Sequence, residues 1–487
     1  MQETIEPIRG SGLNTLKLNL LQEFNLKVEL KSFGAAGEVT GSKHFLKLDD
    51  KYILIDYGAW QGNQEDQQKN KDFVCPIDIK DIETIILTHA HFDHCGLLPK
   101  LVKEGYEGKI RSTPATRDLS SIIMLDSAKI QKHEKLGSYY EESDVVKTIN
   151  QFRCHFYHKE KHLNDNVKIT FYDAGHILGS ALVDLEIKRK KFFGLLKTPM
   201  HVLFTGDLGR ANNPITNPPE TSFPAPDYIV MESTYGNRKH QDAGLALKEF
   251  ANIINRTIER GGKVIIPTFA IERAQELVYY LKNLMREEKI PRIPVYIDSP
   301  MAVNATGVFN IHPECFNENI QNNFVSKGKN PFSVGSLHCV NDFKESVEVA
   351  RSRKPCIVLA SSGMCEGGRI INHLQFGVSN PRNTILLVGY QGEGTLGRDI
   401  LEKNPIVNIE GDEHKLNAEV QSLSAFSSHA DFEEQVEWLK KIDTSKLKRI
   451  FLVHGDKDAQ DFLQKYLNTN GFKNVEIIQK DVSYELK

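Results

Sequence analysis

Short apolar runs that stop abruptly at a glycine and a polar residue recur along this chain. Residues 27–58 carry the two-residue rhythm of strands, at 27–30, 44–48 and 52–55, separated by a glycine-bearing turn and by Asp49-Asp50. From about 115 to 160 the sequence is charged and largely free of glycine and proline, which predicts helices. Strands are expected again between 167 and 207, and the proline-rich stretch 217–227 marks a boundary or connecting strap. A helix is then expected over 245–260, ended by Gly261-Gly262. Segments 264–266, 273–286, 295–297, 357–360 and 384–388 continue a second alternation of strand and helix, suited to a mostly parallel sheet. The class is α/β, with no internal repeat.

Several of the residues that end these runs are metal-ligand types. His89, His91, Asp93 and His94 fall within six residues, just after Ile85, Ile86 and Leu87. Side chains two apart in extended backbone share a side, so His89 and His91 can close on one ion. Asp93 and His94 cannot easily join them, and two metals are the natural reading. Four more sites follow the same grammar. Residues 53–55 lead to Asp56 and Gly58, 171–172 to Asp173, Gly175 and His176, 202–204 to Gly206 and Asp207, and 450–453 to His454 and Gly455. Ligands at strand ends are held rigidly, and zinc accepts imidazole and carboxylate at about 2.0 to 2.2 Å.

The order Asp56, His89-x-His91-x-Asp93-His94, His176, Asp207, His454 resembles the metallo-β-lactamase superfamily over most of the chain. That resemblance implies an αββα sandwich with two Zn2+. His89, His91 and His176 would hold the first ion, Asp93, His94 and His454 the second, Asp207 would bridge both, and Asp56 would orient the ligand loops. Glu232 in Met231-Glu232-Ser233-Thr234-Tyr235-Gly236, His429 in Ser427-Ser428-His429-Ala430-Asp431, and His454 in Leu452-Val453-His454-Gly455-Asp456 are similar to motifs A, B and C of the β-CASP nucleases. This group includes the endonuclease subunit of the eukaryotic pre-mRNA cleavage and polyadenylation machinery and bacterial RNase J. Histidine in motif C resembles the members that act on RNA, whereas the DNA-processing branch usually has valine. Segments 34–42, 267–276, 298–302, 361–369 and 389–398 also look like those of the RNA-processing members.

The resemblance implies a zinc-dependent ribonuclease, endonucleolytic with 5'-to-3' exonucleolytic action as a second mode. Two cations about 3.5 to 4 Å apart activate one water and offset phosphoryl charge. His429 would donate the proton that the leaving oxygen needs, held by Glu232. A DNA nuclease of the same family is the nearer alternative. A small-molecule ester or thioester hydrolase could use the same metals but would not require the long insertion or the three motifs. The expected organisation is an extension at 1–26, a lactamase-like part at 27–235, an inserted β-CASP domain at 236–423, and a returning part at 424–487. Motif C ends in Asp456 where glutamate is common, and nothing after Lys487 matches the extra C-terminal domain of RNase J. The amino-terminal RNA-binding modules of archaeal relatives are likewise not expected.

A net charge of -3 over 487 residues does not advertise nucleic-acid binding, so contacts with an RNA substrate must be local. Ser361, Ser362 and Gly363 follow an apolar run, and Gly367, Gly368 and Arg369 open what looks like a helix. With Arg273 and Arg398 they are candidate phosphate contacts. The basic run Lys188 to Lys191, before Phe192 and Phe193, reads as a solvated hairpin or as a further RNA contact. Seven cysteines, odd in number and without a Cys-x-x-Cys pair, indicate a reducing compartment. No apolar run reaches eighteen residues and residues 1–26 lack a signal-peptide core, so the expected location is cytoplasmic, away from membrane. A homodimer is kept open as the assembly.

Overall fold

Two seven-stranded sheets face each other and a third stands apart. The first runs in the order Ser483–Leu486, Val28–Gly34, Lys43–Leu48, Lys51–Ile55, Ile82–Ile86, Lys109–Ser112, Phe152–Cys154. The second runs Val475–Ile477, Arg449–Val453, Tyr228–Glu232, Met200–Phe204, Ala181–Ile187, Val167–Asp173, Lys161–His162. The computed structural model describes residues 27–487 except 63, 133–136, 189–197, 334, 390 and 393. The expected extension at 1–26 and most of the basic run at 188–191 therefore lie outside the described residues.

Alternation decides which face each residue takes. Leu46, Leu48, Ile53 and Ile55 turn toward the second sheet and share a core with Val183, Leu185, Val202, Phe204 and Phe451. Phe45 and Leu54, one position out of step, join the core beneath the helices on the other side. Each fully buried Leu, Ile or Phe contributes roughly 1.5–3 kcal/mol relative to exposure. The outer face of the second sheet is covered by helices Phe432–Lys441 and Lys457–Thr469, through Val436, Leu439, Leu463 and Leu467. Asp431 starts the first of these with a reciprocal capping box to Glu434.

The third sheet has six parallel strands, Leu337–Cys339, Val295–Asp298, Ile357–Ala360, Val264–Pro267, Thr384–Leu387 and Glu419–Ser422. Ile266 and Leu359 face one layer of helices, Ile265 and Val358 the other, which explains the unbroken apolar runs. Helix Arg273–Arg286 and strand Ile357–Ala360 coincide with the sequence reading. The charged stretch from 115 to 160 is helical only in part. After Pro114–Gln131 and Glu142–Gln151 it becomes the edge strand Phe152–Cys154, because Phe152 is drawn into the core.

After the third sheet the chain returns to the second. Strand Arg449–Val453 lies parallel to Tyr228–Glu232, with Val453 opposite Glu232. That register sets His454 beside the segment following Glu232.

Candidate active site

Strand ends deliver the site. Asp56 follows Lys51–Ile55 and His454 follows Arg449–Val453, both with left-handed backbone, φ 61 and 53. Such φ values are uncommon for residues with a side chain and here turn the chain sharply where each strand ends. The loops pack backbone on backbone. A Cβ at Gly58 would lie 1.6 Å from the Asp93 carbonyl oxygen, and one at Gly209 would lie 1.9 Å from that of Gly175, so only glycine fits either position.

His89 Nε2 lies 3.1 Å from His91 Nδ1, which is 3.2 Å from His176 Nε2. Asp207 Oδ2 closes this group at 3.4 Å from His89 and 3.5 Å from His176. The other oxygen of Asp207 faces a second group. Oδ1 is 3.3 Å from His94 Nε2 and 3.6 Å from His454 Nε2; those two nitrogens are 3.1 Å apart, and Asp93 Oδ2 is 3.3 Å from His454. Ligands around a tetrahedral zinc at about 2.1 Å stand about 3.4 Å from one another. Both donor sets fit such an ion. Asp207 Oδ1 is buried without a hydrogen-bond partner among the described residues, as an oxygen kept for a cation would be.

Electrostatics agrees with that use. Burial holds His89 down to about 3 and His91 down to about 4, so both are neutral, the form that binds metal. His94 goes the other way. Burial opposes its charge, but Asp207 and Asp56 outweigh burial and hold it well above the usual imidazole range. A cation beside Asp207 would take over the role of that proton. Asp207 stays well below the usual carboxylate range, since His454, His94 and His89 overcome its burial.

Carboxylate and hydroxyl groups orient the donors. Asp56 Oδ1 accepts the Thr88 N–H at 2.8 Å, and its Oδ2 accepts the Thr88 hydroxyl at 2.8 Å and faces His94 Nδ1 at 2.7 Å. Thr234 Oγ1 lies 2.9 Å from His454 Nδ1. His429 stands over the first group, its ring centroid 4.5 Å from that of His176 and its Nε2 3.9 Å from Asp207 Oδ2. Its Nδ1 is 2.9 Å from Glu232 Oε1. Glu232 is itself fixed by the N–H groups of Leu208 at 2.8 Å and Thr234 at 3.0 Å. Burial would discharge His429, but Glu232 overrides it and raises the imidazole to about 9.

Family models match in three stretches: the Beta-Casp domain over residues 274–400, the metallo-beta-lactamase superfamily domain over 45–192, and the Zn-dependent metallo-hydrolase RNA specificity domain over 413–478. A ribonuclease of Thermus thermophilus is 37% identical over 439 residues, spanning 90% of this chain and 96% of its own length. The chain belongs to the β-CASP family of the metallo-β-lactamase superfamily. Another similar protein is the transcription termination factor FttA of Methanosarcina mazei, 34% identical over 89% of this chain and 67% of its own. A crystal structure of a protein of unknown function from Enterococcus faecalis shares the fold, with TM-score 0.52 and 12% identity over 94% of this chain and all of that one.

Within this β-CASP chain the loops singled out for phosphate binding are tied to protein partners. Arg369 donates to Asp298 Oδ1 at 2.8 Å and to the carbonyls of Val340 and Asn341. Arg273 pairs with Glu276 and donates to Ser428 Oγ at 3.0 Å, while Arg398 pairs with Glu402 at 2.6 Å. Ser361 Oγ donates to Ser299, Ser362 Oγ accepts the Glu366 N–H, and the Gly363 carbonyl accepts from Gln391. These contacts connect parts of the inserted unit, except that of Arg273, which reaches the residue before His429.

Sequence reading gave Thr88 no role and named Thr234 only within motif A. Thr88 precedes His89 and Thr234 lies two residues after Glu232, but a hydroxyl carries no metal signal of its own. Only its placement against Asp56 or His454 reveals it.

Proposed function

We propose that this β-CASP protein is a zinc-dependent ribonuclease holding two Zn2+ and hydrolysing RNA phosphodiester bonds internally, with 5'-to-3' exonucleolytic trimming as a second mode. The ribonuclease and termination-factor names of its relatives and the match to an RNA specificity domain support the RNA substrate. One observation carries the chemistry: the two oxygens of Asp207 face two separate histidine groups while His429, backed by Glu232, overlooks one of them.

Bound zinc supplies Lewis acidity, lowering the pKa of water and offsetting phosphoryl charge. The chain's own residues do the rest. His89, His91 and His176 with Asp207 would hold one cation, and Asp93, His94 and His454 with Asp207 would hold the other. His429 Nδ1–H donates to Glu232, which leaves Nε2–H directed toward the shared Asp207. As the water oxygen bonds to phosphorus, the bond to the leaving oxygen breaks and that oxygen takes the Nε2 proton. The proton shed by water restores the charged imidazole.

Incubating zinc-loaded protein with labelled RNA, matched DNA and a lactone or thioester tests the reading. RNA cleavage is expected. Turnover of DNA alone, or of the ester alone, would overturn it.

A further inference from the structure

The inserted unit meets the histidine loops at one sharp turn. Arg273 N–H donates to the Ile271 carbonyl at 2.8 Å, and Glu272 between them has φ 65 and ψ -59. This is a γ-turn of the positive-φ kind, rare and strained for a residue with a side chain. Strain of that sort persists where the surroundings over-determine it. Glycine would adopt the same backbone freely, yet the chain puts a glutamate there and buries it, 1% exposed.

From this turn two neighbouring side chains reach across to two different loops. Glu272 Oε2 accepts the N–H of Leu178 at 3.0 Å, two residues after His176. Arg273 Nη2 donates to Ser428 Oγ at 3.0 Å, next to His429. The base of the turn is firm. Arg273 also pairs with buried Glu276, which accepts from Asn213 at 2.9 Å, and Ala274, Leu277, Val278 and Leu281 anchor the following helix in the core. The His176 loop is also held by its own short contacts and by hydroxyls of the lactamase-like part: the His176 N–H donates to Ser180 Oγ at 3.0 Å, and the Thr113 and Thr116 hydroxyls donate to the Gly179 carbonyl at 2.7 and 2.8 Å. At the Leu178 N–H a carboxylate of the inserted unit takes hold of it, one residue before Gly179, where Cys315 also makes contact.

We infer that the Ile271–Glu272–Arg273 turn is a positioning element of the site: Glu272 sets the loop that carries the metal donor His176, and Arg273 sets the loop that carries His429. The inserted unit thus governs metal binding and proton donation through separate side chains. The Arg273 half rests on the ribonuclease reading, whereas the Glu272 half is read from metal affinity alone.

The test titrates zinc into metal-free protein against a chelator and measures RNA cleavage separately. Glu272→Gly keeps the turn and removes only the carboxylate, so zinc affinity should fall roughly 10- to 100-fold, as when a partner orienting a ligand is lost. Glu272→Gln retains an acceptor for the Leu178 N–H and should rescue the affinity. Ser428→Ala should keep zinc affinity while kcat falls roughly ten- to a hundredfold from the misplaced His429 loop. Circular dichroism establishes that each variant is folded. Unchanged zinc affinity in Glu272→Gly, equal losses in the Gly and Gln variants, or zinc lost with Ser428→Ala would each overturn the inference. Wild-type protein that binds zinc yet leaves RNA intact overturns the ribonuclease reading alone, and the titration still decides Glu272.

Discussion

Nδ1 of His429 lies 2.9 Å from Oε1 of Glu232, a carboxylate closed off from solvent. The pair raises His429 to about 9, against the opposing effect of burial. Below that pH the imidazole carries its proton and can donate it; as pH rises through about 9 the proton, and with it the activity, is lost. In Glu232→Gln the basic limb of kcat/KM against pH should move down toward the ordinary histidine range near 6.5. A limb that stays in place would remove Glu232 from this role.

Replacing His429 itself separates proton donation from metal binding. His429→Ala should keep its zinc and most RNA affinity and lose turnover by roughly 10² to 10⁴. An RNA analogue expelling a low-pKa phenol or a thiolate needs little protonation and should be cleaved at a rate much nearer wild type. Equal slowing of both substrates would contradict the acid assignment.

Elemental analysis of wild-type protein should give about two zinc ions per chain, one for each donor set. In Asp207→Ala both sets lose an oxygen at once, so zinc content should fall and RNA cleavage disappear. Full occupancy with normal turnover would rule out a shared carboxylate.

Asp56 belongs to neither donor group, yet it holds both the Thr88 hydroxyl and His94 Nδ1. Asp56→Ala should weaken zinc binding roughly 10- to 100-fold while the fold survives. Competition with a chelating dye measures it, and wild-type affinity would show that His94 orients without help.

Gly58→Ala puts a methyl carbon 1.6 Å from the Asp93 carbonyl oxygen, which already accepts the Ser42 N–H at 2.8 Å. Neither backbone can give way alone. Urea unfolding should show a loss of roughly 3 kcal/mol or more, at the severe end for one substitution. A midpoint like that of wild type would mean that the two loops can part.

The donors that the structure brings together stood out in the sequence because most of them follow a buried strand, where an apolar run meets a glycine and a donor; Asp93 and His94 stand instead in the short helix Phe92–Cys95. The parallel inserted sheet was legible for a similar reason, since 357–360 and 264–266 are apolar at every position and demand cover on both faces. The partners of Arg369 were not legible in its loop. Its main partner, Asp298, lies 71 residues away, so nothing local distinguishes a tethered guanidinium from one free to meet phosphate. Glu272 escaped as well. A glutamate opening a helical pattern advertises an ordinary first turn, and its partner Leu178 lies 94 residues away in another part of the fold.

His454 and Asp93 share the second donor group although 361 residues separate them. Local segments fold early, whereas contacts this distant must wait for the chain between them to be made and arranged. A nascent polypeptide that stops short of His454 has every donor of the first group and lacks one of the second. The second donor group is therefore the one that depends on the whole path of the chain: a cut anywhere between Asp93 and His454 leaves its two halves on separate pieces.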